Sequence, residues 1–150
     1  MLVTFQCLLA QNTTVSKKNS ILQDLSSVKG KGILFGHQDD LAYGVGWAYV
    51  RGESDVKRVS GDYPALFGWE LGGLELDHTH NLDSVPFETM QRLAIMGHEM
   101  GGINTFSWHP YAPVTHESAW DKRAIIVKHI IPGGKNHEAF KQQLDKVAHF

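Results

Sequence analysis

The sequence has a single cysteine, Cys7, among its 150 residues, which excludes an internal disulfide framework and a cluster of thiolate metal ligands. It also has little net charge, because 14 Lys and Arg residues nearly balance 16 Asp and Glu residues to give a formal charge of -2. The basic residues are scattered along the chain, so no positive patch is predicted that could follow a phosphate backbone. We therefore expect no nucleic-acid partner.

Long apolar runs are also missing. The mostly apolar start, Met1–Ala10, is too short to span a bilayer and has no Lys or Arg before it. It fits either the end of a secretory signal that has lost its basic head or a frayed terminus. We predict that residues 1–19 are a signal remnant or a disordered leader and that the chain has no membrane span.

The remaining residues alternate between predicted strands and helices. Runs of β-branched and aromatic residues bounded by Gly or Pro predict strands at Ile33–Gln38, Pro64–Glu70 and Ile103–Trp108. Helical spacing of apolar residues and local capping signals predict helices at Ser16–Lys29, Asp55–Ser60, Val85–Met100 and His137–Phe150, with Ser54 and Asn136 as N-caps. The segment Asp39–Glu53 is rich in Gly, Tyr and Trp and is predicted to be an irregular loop.

This alternation predicts an α/β fold. No hairpin signal lies between the strands, so they are expected to be parallel, with right-handed helical crossovers. Three parallel strands cannot close a barrel and would leave two bare edges. We therefore predict that residues 20–150 are the first portion of a larger domain.

The third predicted strand delivers Trp108 and His109 to its end, just before Pro110. Side chains at the carboxyl end of a parallel strand face the loops that bind ligands, so a site is predicted here. A buried tryptophan and a core histidine would explain the same pattern equally well. Glu70, which ends the second strand, could face the same cleft, but we expect it to form a salt bridge with a Lys or Arg of a neighbouring strand.

Nine histidines raise the question of a metal site. Two of them, His78 and His80, have a spacing that could bind zinc, but the sequence places no third ligand near them. A polar surface loop explains these residues better, so no metal site is predicted. The segment Ile131–Lys135 lacks the pattern of a phosphate-binding loop and is predicted to be a turn.

Several short motifs together resemble a known family. They occur in this order: Gly32–Gln38, Pro64–Glu70, Ser107–Pro110, Trp120–Asp121, Ile131–Lys135 and Leu144–Ala148. In this order they resemble glycoside hydrolase family 26, the endo-β-1,4-mannanases, from about residue 20 to the end of the chain.

The resemblance implies an incomplete (β/α)8 TIM barrel, made of the first three βα units and truncated before strand 4. It implies endo-acting hydrolysis of β-1,4-mannosidic bonds in mannans or manno-oligosaccharides, with retention and without a cofactor. It also implies a secreted, periplasmic or cell-surface location. The family's acid/base Glu on strand 4 and nucleophile Glu on strand 7 are expected beyond residue 150, so no catalytic residue is assigned and the chain alone is expected to be inactive.

Three residues are predicted to bind substrate by this resemblance. His109 is similar to the family's strand-three histidine at the cleft, and Trp120 is similar to a loop tryptophan that stacks on a mannose ring. Trp108 is the third of these residues, and its similarity to the family's pattern is weaker. The alternative is a noncatalytic carbohydrate-binding module or fragment that uses the same aromatic residues, for which antiparallel strands without intervening helices would be expected.

Overall fold

The computed structural model describes residues 21–122 and 127–150. The chain divides into two compact units, Met1–Leu34 and Phe35–Phe150. In the first unit, residues 21–28 are helical (α1), which confirms the described part of the predicted leading helix. The predicted leader at residues 1–19 lies outside the described residues.

The second unit is built around a three-stranded parallel sheet. Its strands are β1 (Gly36–Gln38), β4 (Leu66–Glu70) and β5 (Ile103–Ser107), in the order β1-β4-β5. In the register of the sheet, Gly36 pairs with Leu66, and Leu66 pairs with Ile103. The parallel sheet predicted from the sequence is confirmed, with each strand shorter than predicted by one residue or more.

Between β1 and β4 lie two short antiparallel strands, β2 (Tyr43–Gly44) and β3 (Trp47–Ala48). They correct the prediction of a wholly irregular loop. The carboxylate of Asp55 holds the turn between them, because it accepts hydrogen bonds from Val45 N (2.6 Å) and Trp47 Nε1 (2.7 Å). Asp55 begins helix α2 (Asp55–Ser60), whose predicted N-cap Ser54 accepts a hydrogen bond from Lys57 N.

Helix α3 (Phe87–Glu99) connects β4 to β5 and covers the sheet. Its predicted apolar stripe is confirmed, since Phe87, Met90 and Ala94 are buried in the core with Phe67 and Trp69 of β4. Burial of such side chains on a shared face is the main source of stability for a helix packed on a sheet.

A polar link also joins these layers. Asn104 of β5 accepts a hydrogen bond from Trp69 Nε1 (2.7 Å) and donates one to Ala94 O (2.8 Å). Nearby, a Cβ added at Gly102 would overlap the ring of Phe67. Only glycine therefore lets the backbone pass this close to Phe67 just before β5.

Within the described residues, two helices follow β5. They are α4 (Val127–Ile130) and α5 (His137–His149), and α5 packs against a 3-10 turn at Leu74–Leu76, beyond β4. Asn136 occupies the predicted N-cap position of α5, but its side chain makes no capping hydrogen bond. Of the helices in the described ranges, none has the length and apolar character needed to cross a membrane.

Candidate active-site cleft at the strand ends

A cleft of about 320 Å³ opens at the carboxyl ends of the parallel strands. Its lining consists of Gln38, Glu70, Leu82, Asp83, Ser107, His109 and Trp120. Glu70 and Ser107 are register partners at the ends of β4 and β5, so the pairing of these strands brings the cleft residues together. This is the edge at which the sequence predicted a site.

Glu70 accepts more hydrogen bonds than any other side chain that lines the cleft. Its Oε1 accepts hydrogen bonds from Gly72 N and His109 N, both at 2.8 Å. Its Oε2 accepts hydrogen bonds from Ser107 Oγ at 2.6 Å and from His109 Nδ1 at 2.7 Å. The sequence predicted a salt bridge with Lys or Arg, and the structure corrects this partner to the imidazole of His109.

The ionisation of Glu70 follows from this environment. Burial alone would raise the pKa of Glu70, but the hydrogen bonds from Ser107, His109 and Gly72 outweigh burial and hold the pKa below its ordinary value. Glu70 is therefore a carboxylate at neutral pH. Since a carboxylate only accepts hydrogen bonds, His109 Nδ1 carries a proton and the opposite ring nitrogen, Nε2, is left for other partners.

Trp120 lies beside His109. The two rings stack with a centroid separation of 6.5 Å and an interplanar angle of 28°. The indole of Trp120 is 77% exposed and lines the same cleft, so it presents an apolar face to a ligand. The structure thus brings together two of the three residues that the sequence selected, and their contact with substrate stays a prediction.

Trp108 has different surroundings. Its Nε1 donates a hydrogen bond to Glu75 Oε2 (3.1 Å), and its ring stacks on Phe140 of α5 at 6.2 Å and 9°. It is absent from the residues that line the cleft of His109 and Trp120. Trp108 therefore packs against Glu75 and Phe140, and its contact with substrate stays a prediction.

Glu75 is a buried acid that the sequence reasoning missed. It follows Gly72-Gly73 and lies between Leu74 and Leu76 in the 3-10 turn. Two flanking leucines in a short turn were the available signal that this carboxyl is not a surface group. It is 1% exposed.

A second carboxyl group beside the cleft, that of Asp39, has a pKa shifted in the opposite direction from that of Glu70. Asp39 directly follows β1 and is fully buried. Burial, together with the charge of neighbouring Asp83, raises the pKa of Asp39 to about 7. Near neutral pH this group is therefore partly protonated, whereas Glu70 is ionised.

The histidines considered as zinc ligands, His78 and His80, are not among the residues that line this cleft. His78 packs edge-on against Tyr111, and the Nδ1 atom of His80 contacts Thr79 Oγ1 at 2.7 Å. Across residues 21–122 and 127–150, no three His, Cys, Asp or Glu side chains are grouped as metal ligands would be.

Three parallel strands with helical connections and a cleft at their carboxyl ends match the first three βα units of a (β/α)8 barrel. Residues 10–150 match the sequence profile of glycosyl hydrolase family 26. The chain belongs to this family.

Known proteins agree with this assignment. A mannan endo-1,4-beta-mannosidase of Bifidobacterium adolescentis is 30% identical over 124 residues, which cover 79% of this chain and 12% of that protein. The structure of a β-mannanase from Bacteroides ovatus, BoMan26A, is similar at 43% identity and a TM-score of 0.81, covering 85% of this chain and 38% of that one. A modular endo-β-1,4-mannanase from Cellulomonas fimi is similar at 33% identity and a TM-score of 0.72, covering 87% and 30%. This chain thus spans well under half the length of these relatives.

We predict that Glu70→Gln lowers the free energy of unfolding at pH 7 by about 2 kcal/mol, since one amide oxygen cannot accept all the donors that surround a carboxylate. Because the folded-state pKa of Glu70 lies below its ordinary value of 4.5, its contribution is complete above that pH and is lost as the pH falls. Urea unfolding from pH 3 to pH 7 should therefore show the gap between wild type and variant closing in acid. A gap that stays constant across this range would contradict the assignment.

Asp39→Asn should give the opposite pH dependence. The folded-state pKa of about 7 lies above the ordinary value of 3.8, so the folded protein holds a proton that the unfolded chain releases between these values. Wild type should lose stability as the pH rises through this interval, and the variant should not. The same urea series measures this slope, and equal slopes for the two proteins would refute the raised pKa.

Proposed function

We propose that this chain forms one side of the substrate cleft of a retaining endo-β-1,4-mannanase, with β-mannan or manno-oligosaccharides as substrate. The observation that carries the proposal is the His109–Glu70 pair at the ends of two adjacent parallel strands, with the exposed face of Trp120 beside it. Family membership and the names of the similar proteins support the choice of substrate.

The proposed roles follow from the geometry. Glu70 accepts the Nδ1 proton of His109, which orients the ring so that Nε2 is available for a sugar hydroxyl or for the acid/base carboxyl. Trp120 offers a flat apolar surface to the C–H bonds of a pyranose, as aromatic side chains commonly do in apolar contacts. Neither Glu70 nor Glu75 is assigned as acid/base, because hydrogen bonds from N–H groups occupy both oxygens of each.

Retaining hydrolysis requires an acid/base and a nucleophile whose carboxyl groups are about 5 Å apart. By the family resemblance these are glutamates of the fourth and seventh barrel strands, and the described residues supply three parallel strands. We therefore propose that the 150-residue chain alone releases no reducing ends from mannan. Measurable release by the purified chain, with a mock purification as control, would overturn this part of the proposal.

We also propose that the protein acts outside the cytoplasm, in a secreted, periplasmic or cell-surface form. The support is the polymeric nature of the proposed substrate, which is too large to enter a cell intact. A noncatalytic carbohydrate-binding module remains the alternative function. The parallel sheet with helical crossovers disfavours it, since antiparallel strands without intervening helices were expected for such a module.

In a protein that joins this chain to the remaining length of a family 26 domain, we expect His109→Ala and Trp120→Ala to differ in kinetics. A stacking contact made in both ground and transition states affects mainly KM, so Trp120→Ala should raise KM with little change in kcat. A partner of the acid/base group acts when the proton moves, so His109→Ala should lower kcat by roughly a hundredfold.

Steady-state kinetics on mannopentaose measures both effects, and NMR of the first-formed product anomer tests retention. Gln142→Ala, at an exposed position of α5 outside the cleft lining, serves as a control that should change neither constant. A His109 variant with unchanged kcat and kcat/KM would show that the imidazole is a structural core group and would refute its proposed role.

A further inference from the structure

The side-chain carboxylate of Glu75 accepts hydrogen bonds from three N–H groups. Its Oε1 accepts a hydrogen bond from Tyr111 N at 2.7 Å, and its Oε2 accepts from Trp108 Nε1 at 3.1 Å and Gly73 N at 2.9 Å. The side chain has almost no contact with solvent. Two of these three donors belong to the residues that flank the His109-Pro110 dipeptide.

The side chains of Glu70 and Glu75 bind different residues of the segment around His109. Glu70 binds the hydroxyl of Ser107 and the backbone N–H of His109. Pro110 has no N–H, so the next backbone donor after His109 is Tyr111 N, and Glu75 accepts it. The backbone on both sides of the imidazole is therefore fixed by a carboxylate.

Close packing links the loop of Glu75 directly to His109. A Cβ added at Gly72 would lie 2.7 Å from His109 O, so the two strand-end loops touch through their backbones. From the other side, Lys146 Nζ of α5 donates to Glu75 O (3.2 Å) and pairs with Asp77 Oδ2 (2.6 Å). The turn that carries Glu75 is therefore packed between α5 and the backbone of His109.

We propose that Glu75 is a positioning residue for His109, acting through Trp108 and Tyr111 rather than by contact with the substrate. It holds the strand-end segment in the one conformation in which His109 Nδ1 meets Glu70 and Nε2 is available to the cleft. The proposal adds a positioning residue to the site of the proposed function. It rests on that function only for the partner that Nε2 binds. The competing explanation is that Glu75 stabilises its own turn and leaves His109 unaffected.

The variant Glu75→Gln tests the proposal in the 150-residue chain. Glutamine has one acceptor oxygen where the carboxylate has two, so its NH2 group must face at least one N–H donor. Hydrogen exchange at the Tyr111 amide or the Trp108 indole should become about tenfold faster, the factor expected for one hydrogen bond of ordinary strength. The 15N shifts of the His109 ring should change from an Nδ1-protonated tautomer to a mixture of tautomers.

Trp108→Phe is a milder test that does not depend on Glu75→Gln folding. Phenylalanine keeps a ring that can stack on Phe140 but removes the indole donor to Glu75. The remaining bonds from Gly73 and Tyr111 should limit the effect, so the His109 tautomer should change in the same direction and by less. Asp77→Asn, in the same turn, removes an exposed charge paired with Lys146 and should leave the His109 signals unchanged.

Normal His109 signals in Glu75→Gln and Trp108→Phe, with faster exchange at Tyr111 or Trp108, would overturn the proposal and establish a local role for Glu75. A change of equal size in Asp77→Asn would also overturn it, because any disturbance of the turn would then have the same effect. None of these readouts involves sugar. A complete domain inactive on mannan would therefore refute the proposed function without altering the tautomer result.

Discussion

The buried carboxylate of Glu70 is the constraint on which the cleft depends. An ionised carboxyl group without partners is costly in a protein interior, and here three of the four donors that offset this cost come from Ser107 and His109. Those donors reach Glu70 only when β4 and β5 pair with Glu70 opposite Ser107. A slip of one residue would move the side chain to the other face of the sheet and leave the charge unpaired. The register of the sheet and the geometry of the site are thus set by the same interaction.

Local patterns carried enough information to predict most of the framework. The apolar spacing of α3 predicted its buried face, because residues three and four apart share one side of a helix. Ser54 was predicted as an N-cap because a hydroxyl at that position can accept a hydrogen bond from the first turn, which is what Lys57 N provides. The order of strands and helices predicted a parallel sheet, since parallel strands need long crossovers. All of these features depend on residues near one another in the chain.

The site was less predictable because its contacts cross long stretches of sequence. Glu70 and His109 are both strand-end residues, but their pairing requires the register of two strands, so the sequence favoured Lys or Arg as the partner of the acid. Trp108 precedes His109 and so points to the opposite face, where it meets Phe140 of α5; adjacency in the sequence concealed this difference. The turn of β2 and β3 was missed for the same reason, because Asp55 stabilises it from a later helix.

The two titrating acids of the cleft region show how the same chemical group acquires different charges within one site. Glu70 and Asp39 are both buried, so desolvation favours the neutral form of each. Glu70 is compensated by N–H and O–H donors that only an ionised carboxylate can satisfy together, and its pKa falls. Asp39 has no comparable set of donors among the described residues and lies near another acid, Asp83, so its pKa rises. A fixed negative charge beside His109 keeps the proton on Nδ1, whereas a second fixed charge at Asp39 would add to the repulsion that Asp83 already exerts. Burial beside Asp83 therefore favours the neutral form of Asp39, whereas the donors around Glu70 keep a negative charge next to the imidazole of His109.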